Sequence, residues 1–345
     1  MRGRAYQHRG RAGWVWLAAA VLALTPVVAG AEPAANPLRF ALLSTQAPDE
    51  VAAKWQPVLD ALGRRIGADV VADVTTDYAG AIWGLRNGRD HLALLGNKSA
   101  IEAVDHGGGE VFAKESFLDS RGGYFSLLIV AQSSPYRSAD DVIDHAATLT
   151  LGRGDTNSTS GTVVPGYYLF ALRGINPALR FKRVVQGNHE GNILAVAEGR
   201  VDAASVASSV FDDLRRSKPD LTDRVRVVWR SPLIPGDPLV WRKDLPATTK
   251  AAVREFFLEY GIAKPGKSAA RLAEEQANLK RLGSHGFQAS DDGQLLQVRR
   301  LELERTRLQL TSDGEGTPTP IKLRQRQEID RKLAEIDRQS RPWAE

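Results

Sequence analysis

Three consecutive hydroxyl side chains stand directly before a glycine: Ser158, Thr159, Ser160 and Gly161. They follow an apolar β-type segment at 148–151 and precede a helical stretch, so they lie where a strand of an α/β sheet passes into a helix. A helix N-terminus presents free backbone N–H groups and a partial positive charge, which attract anions. With three hydroxyls, and a glycine that lets the backbone approach a ligand, this pattern predicts a site for a small tetrahedral anion.

The same residues permit a plainer interpretation, in which one serine caps the helix and the others are loop residues. A nucleotide-binding loop is not indicated, because the sequence has no GxxxxGK[ST] motif. A serine nucleophile has little support, since GxSxG is missing and no base is placed by the sequence. An anion site and a helix cap therefore remain the two interpretations.

Two further polar residues occupy similar loops. His189 lies within 187–192, between a predicted strand and a predicted helix, where its ring could donate to an anion. Tyr78 lies within 77–80 in the first half of the chain and could donate its hydroxyl from the opposite side of a cleft. The alternatives are a loop histidine that caps or packs, and a core tyrosine at an interface.

The elements that must position these residues alternate along the chain. The first half predicts strands at 38–43, 69–75 and 91–95, with helices at 51–65 and 78–87. The second half predicts strands at 124–131, 148–151, 181–185, 201–206, 225–229 and 239–241, with helices at 161–172 and 192–198. This alternation predicts an α/β fold. Similar segments at 85–93 and 197–204 favour two similar lobes, although helix-stop signals also match by chance.

The first 31 residues have the pattern of a secretory signal peptide. Four arginines precede an apolar run at 14–28, and a small-residue cleavage pattern ends at Ala31. A membrane anchor is the rival interpretation, but the apolar run of about 15 residues is shorter than the roughly 20 that span a bilayer. We therefore expect export to the periplasm with cleavage near Ala31, and a mature chain that is not embedded in a membrane.

Removal of this segment nearly cancels the net charge. The whole chain has 46 basic and 41 acidic residues, so loss of four arginines leaves 42 basic residues against 41 acidic ones. This balance gives no electrostatic reason to expect nucleic-acid binding. The absence of cysteine excludes thiolate chemistry and cysteine-ligated metal, and we expect no metal site and no cofactor.

The C-terminal part of the chain is predicted to be helical. One helical stretch runs to residue 282, another covers 292–310, and a linker at 312–320 precedes a last helix at 322–339. An apolar stripe on the last helix comprises Ile329, Leu333 and Ile336. We expect this helix to pack on a lobe, with docking on a partner or a coiled coil as the alternatives.

Seven stretches resemble the periplasmic phosphonate-binding component of an ABC importer. They are LST at 43–45, DYAG at 77–80, GNKSA at 96–100, GDTNSTSG at 154–161, VPGYY at 164–168, HE at 189–190 and SPLIPGDP at 231–238. The resemblance extends from about residue 38 to the C-terminal helices. The stretches at 154–168 and 231–238 are the most specific.

The resemblance implies a two-lobed periplasmic binding protein of type II (the Venus-flytrap architecture) with C-terminal helices. Lobe 1 would comprise 38–131 and 238–310, and lobe 2 would comprise 132–237, with crossovers near Gln132 and at 230–237. Residues 311–345 would form the linker and the C-terminal helix. Such a protein closes around a phosphonate-type anion and delivers it to a membrane permease with a cytoplasmic ATPase. A monomer is implied, and no catalytic residues.

The resemblance also assigns the site residues. The three hydroxyl residues at 158–160 would hold the phosphonate oxygens, and Tyr78 and His189 would complete the cradle. Asp237 would face the substituent, where an amino group could lie. Leu95, Asn97 and Ser209 are expected in the substituent pocket.

Two of these positions depart from the familiar aminoalkylphosphonate binders. Leu95 replaces an aromatic residue, and the loop at 207–209 has alanine and serines where those proteins have a carboxylate. An ammonium group gains from carboxylates and from an aromatic face. The departures therefore argue against tight binding of 2-aminoethylphosphonate and favour methylphosphonate, phosphite or another phosphonate, while Asp237 keeps an amine in consideration.

Two other classes of function fit the same residues. A secreted hydrolase would use Ser158 or Ser160 as a nucleophile with His189 as the base. A sensor subunit would use the same lobe closure to report the anion to a membrane kinase, and the sequence does not separate it from a transport protein.

Overall fold

A computed structural model describes residues 37–118, 122–312 and 319–340. All of these residues belong to one compact unit, Asn36–Glu345. The predicted signal peptide with its cleavage near Ala31, and most of the predicted linker at 312–320, lie outside the described residues.

Strands form two large sheets and one small ladder. In chain order they are β1 (Leu38–Leu43), β2 (Val70–Thr75), β3 (Leu92–Leu94), β4 (Gly109–Phe117), β5 (Gly123–Tyr124), β6 (Ser126–Ala131), β7 (Thr150–Arg153), β8 (Arg183–Gln186), β9 (Ala203–Ala207), β10 (Val225–Arg230), β11 (Ile234–Pro235), β12 (Pro238–Arg242) and β13 (Ser284–Ala289).

Helices connect most of these strands. They are α1 (Pro48–Ile66), α2 (Tyr78–Arg86), α3 (Asn97–His106), α4 (Ala139–Asp144), α5 (Pro177–Arg180), α6 (His189–Ala197), α7 (Ser208–Ser217), α8 (Pro219–Thr222), α9 (Ala247–Glu259), α10 (Ala269–Leu282), α11 (Leu296–Ser312) and α12 (Pro320–Ser340). The predicted helical stretch up to residue 282 is thus two helices, α9 and α10. A turn with glycines at positive φ, Gly261 and Gly266, separates them.

The first sheet has the strand order β13-β4-β12-β3-β1-β2. Strand β1 is parallel to β2 and β3, whereas β12 runs antiparallel between β3 and β4. Its core is rich in aromatic rings: Phe40 stacks on Trp55, and Phe112 stacks on Trp241. Strands β4 and β13 were not predicted from the sequence, because their polar and glycine residues hide the strand pattern.

The second sheet has the strand order β10-β6-β9-β7-β8. Strand β7 is parallel to β8 and β9, and β6 runs antiparallel between β9 and β10. Strand β6 therefore belongs to the second sheet, although the predicted first lobe extends to residue 131. The register Ser126↔Ala207 to Val130↔Ala203 fixes this placement.

A two-stranded ladder lies at the passage between the sheets. Strand β5 pairs antiparallel with β11, with Tyr124 opposite Ile234. Strand β5 precedes β6 of the second sheet, and β11 precedes β12 of the first sheet. The chain therefore crosses between the sheets here, and the first crossover precedes the predicted position near Gln132.

The helix that follows the hydroxyl run is irregular. Hydrogen bonds of π-helical type occur over Thr159–Val163 and Gly166–Phe170, and the segment ends as a 3₁₀ turn at Ala171–Arg173. Pro165 lies between the two π-helical parts and has no N–H to donate. The helix predicted at 161–172 is therefore present but departs from regular α-helical hydrogen bonding on either side of Pro165.

The C-terminal helices pack on the body of the protein. Helix α11 contacts α3 beside the first sheet and the π-helical segments beside the second. Glu302 on α11 forms an ion pair with Lys98 on α3, with 2.9 Å between Lys98 Nζ and Glu302 Oε1. Helix α12 packs on α11 and buries its predicted apolar stripe of Ile329, Leu333 and Ile336. Within the described residues, this stripe covers the protein's own helix.

Candidate functional site

A cavity of about 120 Å³ lies between the two sheets. Its lining comes from both: Leu95 follows β3 of the first sheet, and the loop after β7 of the second contributes the hydroxyl run. The carboxyl ends of parallel strands commonly carry ligand sites, because the loops before the helices converge there. Six predicted binding residues meet in this cavity: Tyr78, Ser158, Thr159, Ser160, His189 and Asp237.

The hydroxyl run is deeply buried at the start of its helix, with exposures of 1–2%. Ser158 Oγ accepts a hydrogen bond from the N–H of Gly161 at 3.0 Å, so it caps the helix while it lines the cavity. Gly161 packs against Gly154, and a Cβ on Gly161 would lie 2.7 Å from the Gly154 Cα. The run therefore contains the helix cap and lines the cavity at the same time, and its role as an anion site stays a prediction.

Thr159 connects the two sides of the cleft. Its Oγ1 accepts a hydrogen bond from the N–H of Lys98, at the start of α3, at 2.9 Å. Ser160 is held through its backbone, because Ser126 Oγ donates a hydrogen bond to the Ser160 carbonyl at 2.6 Å. The run is therefore held through the Thr159 hydroxyl on one side and through the Ser160 carbonyl on the other, without help from a ligand.

Tyr78 is the first residue of α2, whose N-terminus is capped by Asp77 through the N–H of Gly80. Its hydroxyl interacts with Ser158 across the cleft. Burial, and then the negative charges of Asp237 and Asp155, raise the pKa of Tyr78. The phenol therefore keeps its proton at neutral pH and remains a hydrogen-bond donor.

His189 is the first residue of α6 and is 4% exposed. Its Nδ1 accepts a hydrogen bond from the N–H of Ala207 at 3.2 Å, so the neutral ring carries its proton on Nε2. Burial lowers the pKa of His189 to about 4. At neutral pH the ring is therefore an uncharged donor.

Part of the cavity lining, called the acidic end below, carries two carboxyls. Asp237 lies there, and its Oδ1 is buried with no hydrogen-bond partner among the described residues. The Tyr124 hydroxyl interacts with both the Asp237 carboxyl and the Thr159 hydroxyl. Burial raises the pKa of Asp237 to about 7, against the opposing effect of its hydrogen bond with Tyr124. A second carboxyl, that of Glu115 on β4, also lines this end.

The predicted substituent-pocket residues have different outcomes. Leu95 is fully buried and lines the cavity, and Ser209 also lines it. Asn97 does not line it in the described structure: its Nδ2 donates to the Pro235 carbonyl and its Oδ1 accepts from Gln294, both at 2.9 Å. The Asn97 amide thus bonds the crossover segment through Pro235 and the 3₁₀ turn Asp292–Leu295 through Gln294, so its side chain has a structural role.

Four titratable residues of the described lining were not singled out in the sequence. Glu115 and Tyr124 were not singled out because polar residues on unassigned or edge strands look like surface positions. The other two are Lys54 and Asp213, which form an ion pair at 2.5 Å from α1 to α7. Among the described lining residues, no lysine or arginine is thus left without a carboxylate partner.

Polar contacts also close the rim of the cleft. The N–H of Glu190 donates to the Thr45 carbonyl at 3.2 Å, and the Ala47 N–H donates to Glu190 Oε2 at 3.0 Å. Lys218 pairs with Glu50 and with Glu190, each at 2.7 Å. These contacts join segments that follow β1 of the first sheet to helices beside the second sheet.

The described residues contain no cluster of three or more histidine or acidic side chains that could hold a metal ion. None of their helices is both long enough and apolar enough to cross a membrane.

Comparison with known families gives a match over residues 40–295. The matched family is described as "ABC transporter, phosphonate, periplasmic substrate-binding protein". The matched range includes every candidate site residue described above.

Individual relatives give the same picture. The chain is 43% identical over 275 residues to the phosphonates-binding periplasmic protein of Escherichia coli, covering 80% of this chain and 78% of that protein. A crystal structure of a binding-protein component of an ABC phosphonate transporter from Pseudomonas aeruginosa is 37% identical, with a TM-score of 0.83. It covers 90% of this chain and 99% of that one.

A more distant structure shares the fold. A Prochlorococcus marinus protein in complex with methylphosphonate matches with a TM-score of 0.67 at 18% identity, covering 76% of this chain and 96% of that chain. Together with the topology, these similarities show a two-lobed periplasmic binding protein of type II, as the sequence predicted.

Proposed function

The chain belongs to the family of periplasmic substrate-binding proteins of phosphonate ABC transporters, and we propose that it captures a phosphonate in the cavity between its lobes. The observation that carries this proposal is the buried hydroxyl run at a helix N-terminus, facing Tyr78 and His189 across one cavity. The loaded protein would deliver its ligand to the permease and ATPase of an importer.

The proposed anion cradle uses neutral donors. The hydroxyls of residues 158–160, the phenol of Tyr78 and the Nε2–H of His189 can all donate to phosphonate oxygens. The helix start adds backbone N–H groups and a partial positive charge. This arrangement supports a small oxyanion, since water around the anion is replaced by fixed dipoles without an unpaired lysine or arginine.

The substituent end supports a ligand with a hydrogen-bond donor. The Asp237 Oδ1 is buried without a partner among the described residues, which is costly unless a donor on the ligand satisfies it. An ammonium group on the phosphonate substituent would do so. This favours an aminoalkylphosphonate over phosphite or methylphosphonate, despite the aliphatic Leu95 and the uncharged Ser209.

The hydrolase alternative is disfavoured by the histidine tautomer. Because Nδ1 of His189 accepts from Ala207, the neutral ring carries its proton on Nε2 and cannot accept one there from a serine. Ser158 Oγ is moreover committed to the helix cap. Binding without chemistry is therefore the function that the site supports best.

The remaining proposals concern the whole molecule. We infer export to the periplasm after cleavage near Ala31, a monomeric state, and a first lobe built on the sheet of β1 with a second lobe built on the sheet of β6. The rim contacts of Lys218 and Glu190 support closure of these lobes around the ligand.

The test is calorimetric titration of the chain beginning at Glu32, refolded to remove bound ligand. The panel comprises 2-aminoethylphosphonate, methylphosphonate, ethylphosphonate, phosphite, phosphate and a matching sulfonate. We expect saturable binding of phosphonates, tightest for 2-aminoethylphosphonate, and an unchanged ligand after long incubation. If the protein binds none of the phosphonates in the panel, the proposed function is refuted. Release of inorganic phosphate would instead support the hydrolase alternative.

A further inference from the structure

Glu115 is a buried acid that lies in the ligand cavity. It is 5% exposed on β4 of the first sheet and lines the same cavity as Asp237. Among the described residues, no lysine, arginine or histidine forms an ion pair with its carboxylate. Lys54, which lines the same cavity, pairs with Asp213 instead. A buried carboxyl without a cation is unusual, because burial disfavours its charged form strongly.

The backbone fixes Glu115 beside Asp237. The N–H of Glu115 donates to the carbonyl of Asp237 at 2.8 Å, where β4 meets the start of β12. Gly236 permits this approach, because a Cβ there would lie 1.8 Å from the Glu115 carbonyl oxygen. The two acids are therefore held together by the sheet rather than by flexible loops.

The charges of the two acids have no internal compensation. The Glu115 carboxyl interacts with the hydroxyl of Ser284, and Asp237 interacts with Tyr124, so both partners are neutral. Burial, and then repulsion from Asp237, raise the pKa of Glu115 to about 8. A cation entering this end of the cavity would meet two carboxyls that gain a charge partner only from the ligand.

We propose that Glu115 is a specificity-determining residue that, together with Asp237, selects phosphonates whose substituent carries an ammonium group. Glu115 thereby supplies, from the first sheet, the second carboxyl that the loop at 207–209 lacks. This inference rests on the proposed function, because it concerns the substituent of the same ligand.

The test compares 2-aminoethylphosphonate with propylphosphonate, a ligand of nearly equal size that lacks the charge. In Glu115→Gln we expect the preference for the amino ligand to fall by about tenfold or more, since a charge-assisted hydrogen bond is lost. Affinity for propylphosphonate should stay the same or increase. The matched control is Glu110→Gln, the same change on the same strand at a residue that bonds Trp241 and Lys250 outside the cavity.

The outcomes separate a failure of the role proposed for Glu115 from a failure of the proposed phosphonate binding. A Glu115→Gln protein that binds both ligands with the unaltered preference would overturn the role of Glu115 and leave phosphonate binding intact. Loss of both affinities in equal measure would also count against it, because it indicates a general disturbance. Absence of phosphonate binding in the unmodified protein would instead remove the proposed function.

A second measurement uses the unmodified protein, in case the variant does not fold. Titrations in buffers of different ionisation enthalpy report protons released on binding. The titratable groups that face the cavity are Asp237, Glu115, Tyr124, Tyr78, His189, Lys54 and Asp213. Once the ionisation of the ligands themselves is subtracted, the amino ligand should release more protons than propylphosphonate, because an ammonium drives a carboxyl to ionise. Equal proton release would contradict the proposal.

Discussion

Two groups of lining residues differ in character: the anion end, which comprises residues 158–160 with Tyr78 and His189, and the acidic end, which comprises Asp237 and Glu115. The anion end consists of neutral donors, three of which are consecutive residues at 158–160 on one helix start. The other end carries two acids, Asp237 and Glu115, from different strands of the first sheet. The hydroxyl run is a local feature of the chain, whereas the two acids stand together only because distant strands pair.

Under the proposed function, this difference would let a small cavity hold a doubly charged ligand with no unpaired cation among the described lining residues. The hydroxyls and N–H groups would stabilise the anion by their fixed dipoles, and the two buried acids would attract a cation. Changes at the anion end should therefore affect every phosphonate, and changes at the acidic end should affect only those with a charged substituent.

The largest expected effect comes from removing two donors at the anion end. The double variant Tyr78→Phe/Ser160→Ala should lose about 100-fold or more in affinity, at roughly 1–3 kcal/mol per buried donor. Calorimetry should show the same loss for 2-aminoethylphosphonate and propylphosphonate. Tyr136→Phe, a phenol outside the cavity lining, is the control. Affinity retained by the double variant would show that the cradle lies elsewhere.

Ionisation of Glu115 at the acidic end should lower the free energy of unfolding at alkaline pH. Glu115 has a folded pKa of about 8 against a usual 4.5, so the folded protein holds this proton more tightly than the unfolded chain. Stability is therefore lost as pH rises from 4.5 to 8, and Glu115→Gln removes this loss. Denaturant unfolding without ligand should find the variant more stable by up to about 5 kcal/mol at pH 9, with little difference near pH 4.5.

Glu110→Gln should not reproduce this pH-dependent gain. Equal pH profiles for Glu115→Gln and the unmodified protein would mean that the Glu115 carboxyl is well solvated, and the contrast between the two ends would weaken.

The anion end should show the opposite pH dependence. His189 has a folded pKa of about 4 against a usual 6.5, so the unfolded chain takes up this proton first as pH falls. The stability that depends on the neutral ring is present above pH 6.5 and is lost between pH 6.5 and 4, by roughly 2 kcal/mol. Thermal unfolding curves of His189→Gln should lack this loss of stability between pH 6.5 and 4. His106→Gln, on an exposed residue, should keep the slope.

The smallest effect is expected at the rim of the cleft. Lys218 is about one-third exposed and pairs with Glu50 and Glu190, and such pairs contribute roughly 0.2–1 kcal/mol. Lys218→Met should weaken all phosphonates alike, by about two- to fivefold. Small-angle scattering should still show ligand-induced compaction. A change in the preference between amino and alkyl ligands would place substituent recognition at the rim as well.

The anion end was largely predictable from the sequence because its signals are local. A strand, three hydroxyls, a glycine and a helix follow one another within the 148–172 stretch, and the structure places the hydroxyls in the cavity. The acidic end was predicted only in Asp237. Nothing near Glu115 in the sequence indicates that it is buried, and Asn97 was assigned to the pocket although its amide holds the crossover.

The sequence by itself determined the α/β class, the helix starts that carry Ser158, Tyr78 and His189, and the family to which the chain belongs. These follow from periodicity, capping and contiguous motifs, which act over a few residues. Only the tertiary structure decided that β6 joins the second sheet, and that Glu115 stands beside Asp237. Both depend on pairing between strands that lie 73 to 81 residues apart in the second sheet and 124 to 133 residues apart in the first, which no local pattern specifies.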